Sequence, residues 1–234
     1  TVQADKLLKT YGTPTTEQEV FAVCAAYCRG DIAALPWNDM QLAKESSYIR
    51  DALIRLNLEG FLTTNSQPAV NGAPSADPVF GWGKPGGYVY QKAYVEFFTS
   101  PERLEQLRAA LPNFPSLHLI AANRAGHTVS NMKSERSVTA VTWGVFPGRE
   151  IVQPTVVDTA AFMVWKEEAF SLLKTNWVEL YAPDTPSRAL LENIMDRYYL
   201  VSIVDNDFMV PNGIFRIFDS TQSAAGADAA AGSQ

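Results

Sequence analysis

Strand-like runs and amphipathic helical stretches alternate along this chain with no internal repeat and no clear domain boundary, so a single mixed domain must bury them together. The clearest element is a helix over about Thr16–Arg29. Thr16 and Glu19 form a T-x-x-E capping box, Val20, Cys24, Tyr27 and Cys28 share one stripe, and Gly30 stops it. A linking loop, DIAALPWNDM, leads to a second helix predicted from about Met40 to Leu58, with Leu42, Ile49, Leu53 and Leu56 on its stripe. The position that completes this series is Ser46. Gly60 ends the helix, Phe61–Thr64 reads as a short strand, and Asn65–Pro78 as a long Pro/Gly/Asn/Ser loop without a core of its own.

Further along, Tyr88–Phe98 contains a predicted strand, and Ser100-Pro101 sets the cap and first turn of a helix through Leu111. Leu117–Ala122 reads as a buried strand, followed by a polar loop to about Ser137. Val138–Phe146 and Glu150–Val157 read as two strands joined at the turn pair Pro147-Gly148. A helix from about Ala160 to Tyr181, aromatic on one side, precedes another from Thr185-Pro186 to about Tyr198. Leu200–Val204 and Gly213–Phe218 are predicted strands. Residues 1–219 then make one domain, and the small-residue tail 220–234 has nothing to bury and is expected to be disordered.

With 234 residues, of which 47% are hydrophobic, the chain can bury a real core. Its net charge of −6 and lack of a basic cluster demote nucleic acid as a partner. No apolar run approaches the roughly 18 residues that cross a bilayer, and TVQADKLLKTYG lacks a signal layout, so a cytoplasmic setting is expected. Cys24 and Cys28, four apart on a helix, read as small buried hydrophobes. His118 and His127 have no partners at metal-ligand spacing, so no metal is expected.

Familiar catalytic signatures fail on context. Gly81, Gly83 and Gly86 spell GxGxxG, but Pro85 interrupts it and Tyr88-Val89-Tyr90 resumes as a strand where a dinucleotide site needs a helix. A Walker loop fails too, because Pro85 follows Lys84 where a Ser or Thr must hold magnesium. No GxSxG elbow, HExxH helix or methyltransferase nucleoside motif is present. Glu167-Glu168 and Asp205 with Asp207 read as solvated faces or turns.

What remains is a carboxylate and several hydroxyls in awkward places. Ser46 interrupts its apolar stripe with Glu45 beside it, and Thr63, Asn65 and Ser66 cluster where a strand opens into the long loop. If Pro147-Gly148 is a two-residue hairpin, facing residues have numbers that sum to 295. Thr142 then opposes Gln153, with Thr155 two residues along on the same face. Two readings stand side by side: hydroxyls bonded to nearby backbone, or a pocket for a small zwitterion, with the carboxylate for an ammonium and neutral hydroxyls for a carboxylate or ribose.

At these residues the sequence resembles a known family. LPWND (Leu35 to Asp39), GFLTTNSQPAVNGAPSADPVFGWGKPGGYVYQKAYVEFFTS (Gly60 to Ser100), AVTWGVFPGREIVQPTVVD (Ala140 to Asp158) and LVSIVDNDF (Leu200 to Phe208) closely resemble the C-terminal regulatory domain of eukaryotic methylenetetrahydrofolate reductases. The likeness runs from about Ala4 to Phe218. It implies a mixed α+β fold with two adjacent sheets flanked by helices, which carries a homodimer contact. It also implies a domain that binds S-adenosylmethionine as an allosteric inhibitor, with S-adenosylhomocysteine competing and relieving inhibition. In that family the NAD(P)H-dependent reduction of methylenetetrahydrofolate belongs to an N-terminal FAD-containing barrel, joined through a linker. That barrel has no counterpart in these residues, so no catalytic residue is expected here.

The resemblance carries ligand positions over residue by residue. Glu45 and Ser46 match an acid and hydroxyl pair, where the family often has Thr in place of Ser. Thr63 and Ser66 match the TxNS hydroxyls, Thr142 the AVTWG threonine and Thr155 the QPTVVD threonine. Asn38, Ala43, Asn65 and Gln67 are expected neighbours of that pocket. Two other classes stay open on sequence: a purely structural dimerisation module, and a self-contained enzyme with carboxylates converging in a cleft.

Overall fold

The computed structural model describes residues 2–38, 40–81, 83, 86–131, 139–141, 145–146, 155–157, 159–207 and 213–221. The fold is mixed α+β. Its helices are α1 (Val2–Gly12), α2 (Glu17–Arg29), α3 (Arg50–Leu58), α4 (Pro101–Ala110), α5 (Thr159–Leu172) and α6 (Pro186–Arg197). Its strands are β1 (Leu62–Gln67), β2 (Val70–Pro74), β3 (Tyr88–Gln91), β4 (Tyr94–Thr99), β5 (Leu117–Asn123), β6 (Thr128–Ser130), β7 (Thr139–Val141), β8 (Val145–Phe146), β9 (Thr155–Val157) and β10 (Tyr199–Asp205).

The central element is a five-stranded antiparallel sheet in the order β1-β4-β10-β5-β6. β10, YLVSIVD, is buried from its second residue onward, because helices cover both faces of the sheet. Successive side chains on β4 point to opposite faces. Phe97 packs edge-on against Phe61 and Phe218 at 5.3 and 5.6 Å, while Phe98 meets Phe170 of α5 at 5.0 Å. Two smaller ladders, β2-β3-β8 and β7-β9, complete the β-structure among the described residues.

Local rules explain several boundaries. Thr16 caps α2 by accepting the Glu19 N–H, and Gly30 closes the helix at φ 91°, a left-handed conformation that glycine adopts without strain. Ser100 caps α4 in the same way, with Pro101 in the first turn. Gly81 lies in a turn so tight that a Cβ there would fall 2.3 Å from the Asp77 carbonyl oxygen. The glycine-rich stretch leads into strand β3, so its GxGxxG has no helix to face a phosphate.

Other elements depart from the sequence reading. The helix expected from Met40 begins only at Glu45, as a 3-10 turn over Glu45–Ile49 that passes into α3. Upstream, the Tyr27 hydroxyl donates to the Met40 carbonyl at 2.8 Å, and the Met40 N–H donates to Asn38 Oδ1 at 2.9 Å. Side chains thus satisfy backbone groups that a helix would otherwise use. The long loop after Asn65 contains the end of β1 and all of β2, because ladders to β4 and β3 supply hydrogen bonds that local propensity does not reveal. Tyr88–Phe98 divides into β3 and β4, in different sheets. The polar loop before Ser137 contains β6, and α1 carried no cap or broad stripe to announce it.

The C-terminal half also departs from the expected elements. The described parts of the predicted strand Val138–Phe146 pair with different partners, β7 with β9 and β8 with β3. Thr139 faces Val157, Ala140 faces Val156 and Val141 faces Thr155, so facing numbers sum to 296. This is the odd-length parity, and the partner of Thr155 is Val141. Gly213–Phe218 is a 3-10 turn over Gly213–Phe215 followed by a helix over 216–221. Ile214, Phe215, Ile217 and Phe218 are all buried, and their spacing is that of a helix face. Ser220 and Thr221, expected to begin the tail, finish this helix; residues 222–234 lie outside the described residues.

The long helix also changes pitch, from α5 into a π-helical stretch over Leu173–Glu179. There Trp177 is fully buried, donates from Nε1 to the Tyr11 carbonyl at 2.9 Å and sits edge-on to the Tyr11 ring. Trp177→Ala removes the aromatic plug joining α1 to the body and is expected to cost about 3–5 kcal/mol in urea unfolding. Loss of less than about 1 kcal/mol would show that this contact is not a core anchor.

Candidate functional site

Beside the edge strand β1, the sheet and helices α2 and α3 leave a cavity of about 560 Å³, counting the part open to solvent. Its apolar side comes from Cys24, Tyr27 and Cys28 on α2, with Leu35, Leu42 and Leu53. Its polar side comes from Asn38 and Ser46, and from Thr63, Thr64, Asn65 and Ser66 of β1; Ala43 also lines it. Both cysteines are free and buried, and burial pushes the Cys28 thiol up to about 11, so it stays protonated at neutral pH.

Each wall has a local cause. Leu35 and Asn38 exchange backbone hydrogen bonds at 2.7 and 3.1 Å, a tight turn that brings the loop after α2 back over the opening. β1 carries an irregularity between Thr63 and Asn65 in its pairing with β4. Thr64, at this irregularity, donates its hydroxyl to Glu96 Oε1 at 2.7 Å. Thr63 is tied to α3: its N–H donates to Asn57 Oδ1 at 3.1 Å, and Asn57 Nδ2 donates to its hydroxyl at 2.7 Å.

Six of the ten positions singled out in the sequence therefore line one cavity: Asn38, Ala43, Ser46, Thr63, Asn65 and Ser66. Glu45 does not line it but is the immediate neighbour of Ser46, half-buried, and receives Gln91 Nε2 at 3.3 Å. Gln67 is turned to another task, donating to the Lys92 carbonyl at 2.6 Å. Thr142 lies outside the described residues. Thr155 lies on β9, opposite Val141, in the two-stranded ladder. Sequence reasoning did not assign Cys24, Tyr27, Cys28 and Thr64 to the site. The α2 stripe signalled burial for the first three without signalling a void beside them.

The electrostatics single out the acids. Burial holds the Glu45 carboxyl above its ordinary range, opposed in part by the Gln91 hydrogen bond. Burial likewise raises Glu96, and Tyr94, which feels both carboxylates, is raised by its own burial and then by their charges. Among the described residues no Lys or Arg lies within ion-pair distance of Glu45 or Glu96. Such an arrangement suits a cationic group brought by a ligand. Among the described residues no His/Cys/Asp/Glu group is arranged to hold a metal. His118 and His127 are engaged with Asn206 and Tyr199. No helix of the described residues is long and apolar enough to cross a membrane.

Comparison with known proteins finds relatives along most of the chain. The family described as "MTHFR, SAM-binding regulatory domain" matches residues 1–225. Methylenetetrahydrofolate reductase (NADH) 1 of Zea mays is 52% identical over 193 residues, covering 82% of this chain and 32% of that protein. Methylenetetrahydrofolate reductase 1 of Schizosaccharomyces pombe is 43% identical over 218 residues, 93% of this chain and 36% of that protein. A probable methylenetetrahydrofolate reductase (NADPH) of Caenorhabditis elegans is 42% identical over 190 residues, 80% of this chain and 29% of that protein. The chain thus spans about a third of the length of these relatives.

A raised carboxyl makes a prediction about stability. The folded state binds the Glu45 proton more tightly than the unfolded chain, so its burial costs nothing at acid pH, where both states are protonated. The cost develops as pH rises from the unfolded value, about 4.3, through the raised folded one. Glu45→Gln should therefore raise the melting temperature of the ligand-free protein at neutral pH but not near pH ~4. A melting temperature lowered equally at both pH values would contradict this account.

Proposed function

This chain belongs to the SAM-binding regulatory domain family of methylenetetrahydrofolate reductases, and on that basis we propose that the cavity beside β1 is its S-adenosylmethionine site. The observation that carries the reading is a cavity lined by hydroxyls and amides, with the half-buried Glu45 on the residue before its Ser46 and no cation at ion-pair distance from that acid among the described residues. Glu45 pairs with the ligand's α-ammonium. Ser46, Thr63 and Ser66, with Thr142 and Thr155 from the segment after β6, hold its carboxylate and ribose, and Asn38, Ala43, Asn65 and Gln67 stand around them. In this reading the site binds the ligand without transforming it.

In the full-length enzyme the ligand acts at a distance. S-adenosylmethionine inhibits reduction of 5,10-methylenetetrahydrofolate to 5-methyltetrahydrofolate by an FAD-containing, NAD(P)H-dependent catalytic barrel in the cytoplasm. S-adenosylhomocysteine occupies the same site and relieves inhibition, and the domain also carries the homodimer contact. A ligand shifts such an equilibrium only by its difference in affinity for two arrangements of domain and linker. A hundredfold difference corresponds to about 2.7 kcal/mol. The two ligands differ by one methyl group and one sulfonium charge, so few contacts separate inhibitor from antagonist.

Calorimetry of this chain with each adenosyl ligand tests the proposal. Both should bind, and Glu45→Ala should weaken S-adenosylmethionine by about 10- to 100-fold, the worth of a hydrogen bond to a charged group. Thr142→Val should weaken it by about tenfold or less. No heat with either ligand, or unchanged affinity in both variants, would discard the site. Affinity should also rise with pH through the raised Glu45 titration, because the carboxyl must lose its proton to pair with an ammonium.

A further inference from the structure

We propose that Asn57 is a positioning residue that holds the Thr63 hydroxyl as a hydrogen-bond donor toward the cavity, so that this wall accepts an oxygen of the ligand; the proposal rests on the adenosyl-ligand reading above. Asn57 lies fully buried in the last turn of α3 and does not line the cavity. Its amide has one possible orientation. The Thr63 N–H can only donate, so Oδ1 must face it, at 3.1 Å. The Leu53 carbonyl can only accept, so Nδ2 must face it, at 2.9 Å. A flipped amide would set oxygen against oxygen and N–H against N–H.

The second Nδ2 proton is then committed to Thr63 Oγ1, at 2.7 Å. The Thr63 hydroxyl is an acceptor on its buried side, and its own proton must go elsewhere. The Cys28 sulfur, which lines the same cavity, is a weak acceptor and already receives Asn57 Nδ2 at 3.9 Å. An oxygen of a bound ligand competes easily with that sulfur. The Asn57 network thereby assigns hydrogen-bond polarity to the site: Glu45 meets a donor, and Thr63 meets an acceptor. An amino-acid head turned so that its two α-substituents change places would set the ammonium against the Thr63 proton and the carboxylate against Glu45. That difference gives the cavity a direction that shape alone does not supply.

The test uses the 234-residue chain and calorimetry with S-adenosylmethionine. Thr63→Val keeps the shape but removes the donor, and should weaken binding about tenfold, or 1.4 kcal/mol. Thr63→Ser keeps the hydroxyl and should bind like the wild type. Asn57→Ala frees the hydroxyl to turn, and should weaken binding in the wild-type background but add nothing once Thr63 is Val. Repeating the Thr63→Val comparison with decarboxylated S-adenosylmethionine identifies the acceptor. A penalty that disappears assigns the α-carboxylate, and one that persists assigns a ribose oxygen.

The proposal is overturned if Thr63→Val binds like the wild type, or if Thr63→Ser loses as much as Thr63→Val. It is equally overturned if Asn57→Ala costs the same in both backgrounds, since Asn57 would then act only through the fold. Should Asn57→Ala fail to fold, the Thr63 valine and serine pair decides alone. A wild-type chain that binds neither adenosyl ligand overturns the functional reading together with this one. Normal wild-type binding indifferent to Thr63 overturns this one only.

Discussion

The antiparallel pairing of β10 with β4 on one side and β5 on the other sets the frame for every other contact in this domain. Those ladders satisfy the backbone of three strands whose side chains are buried on both faces. The aromatic rings packed above and below then fix where the helices can lie. Phe97 gathers Phe61 and Phe218 on one face, and Phe98 receives Phe170 on the other. With the middle of the sheet so committed, the functional freedom of the fold lies at its edge.

β1 is that edge. Among the described residues it has one neighbour in the sheet, and its pairing is irregular between Thr63 and Asn65, so consecutive polar side chains can face a cavity without disturbing the core. The loop after α2 closes the other side, held by the Leu35–Asn38 turn and by the Tyr27 hydroxyl on the Met40 carbonyl. The cavity thus joins elements distant in sequence and is lined by thiols and leucines together with hydroxyls and amides. A half-buried acid without a partner cation destabilises the ligand-free protein; under the proposed reading a cationic ligand would offset that cost, setting stability against affinity at Glu45.

Residue patterns carried the elements whose signals are local. The capping box at Thr16, the Ser100-Pro101 start of α4 and the apolar runs at Leu117 and Leu200 lie where their chemistry places them. Patterns misled where a backbone group found a partner far away. The stretch after Met40 has helical spacing, yet the Tyr27 and Asn38 side chains claim its backbone. The segment after Asn65 looks like a loop because its hydrogen bonds come from β4 and β3. The spacing of Ile214, Phe215, Ile217 and Phe218 fits a helix, but a six-residue apolar window is too short to separate that period from a strand.

The sequence by itself determined the family, the acidic and hydroxyl-bearing residues, and the apolar stripes that had to be buried, because residue identity and short-range periodicity are properties of the chain alone. Only the tertiary structure decided that Asn38, Ser46, Thr63 and Ser66 share one cavity, that cysteines from the α2 stripe line it too, and that Asn57 orients a hydroxyl it is six residues from in sequence. Those relations depend on strand register and on which lone pairs are already occupied. Both are fixed when the sheet closes, by contacts between residues that no local pattern connects.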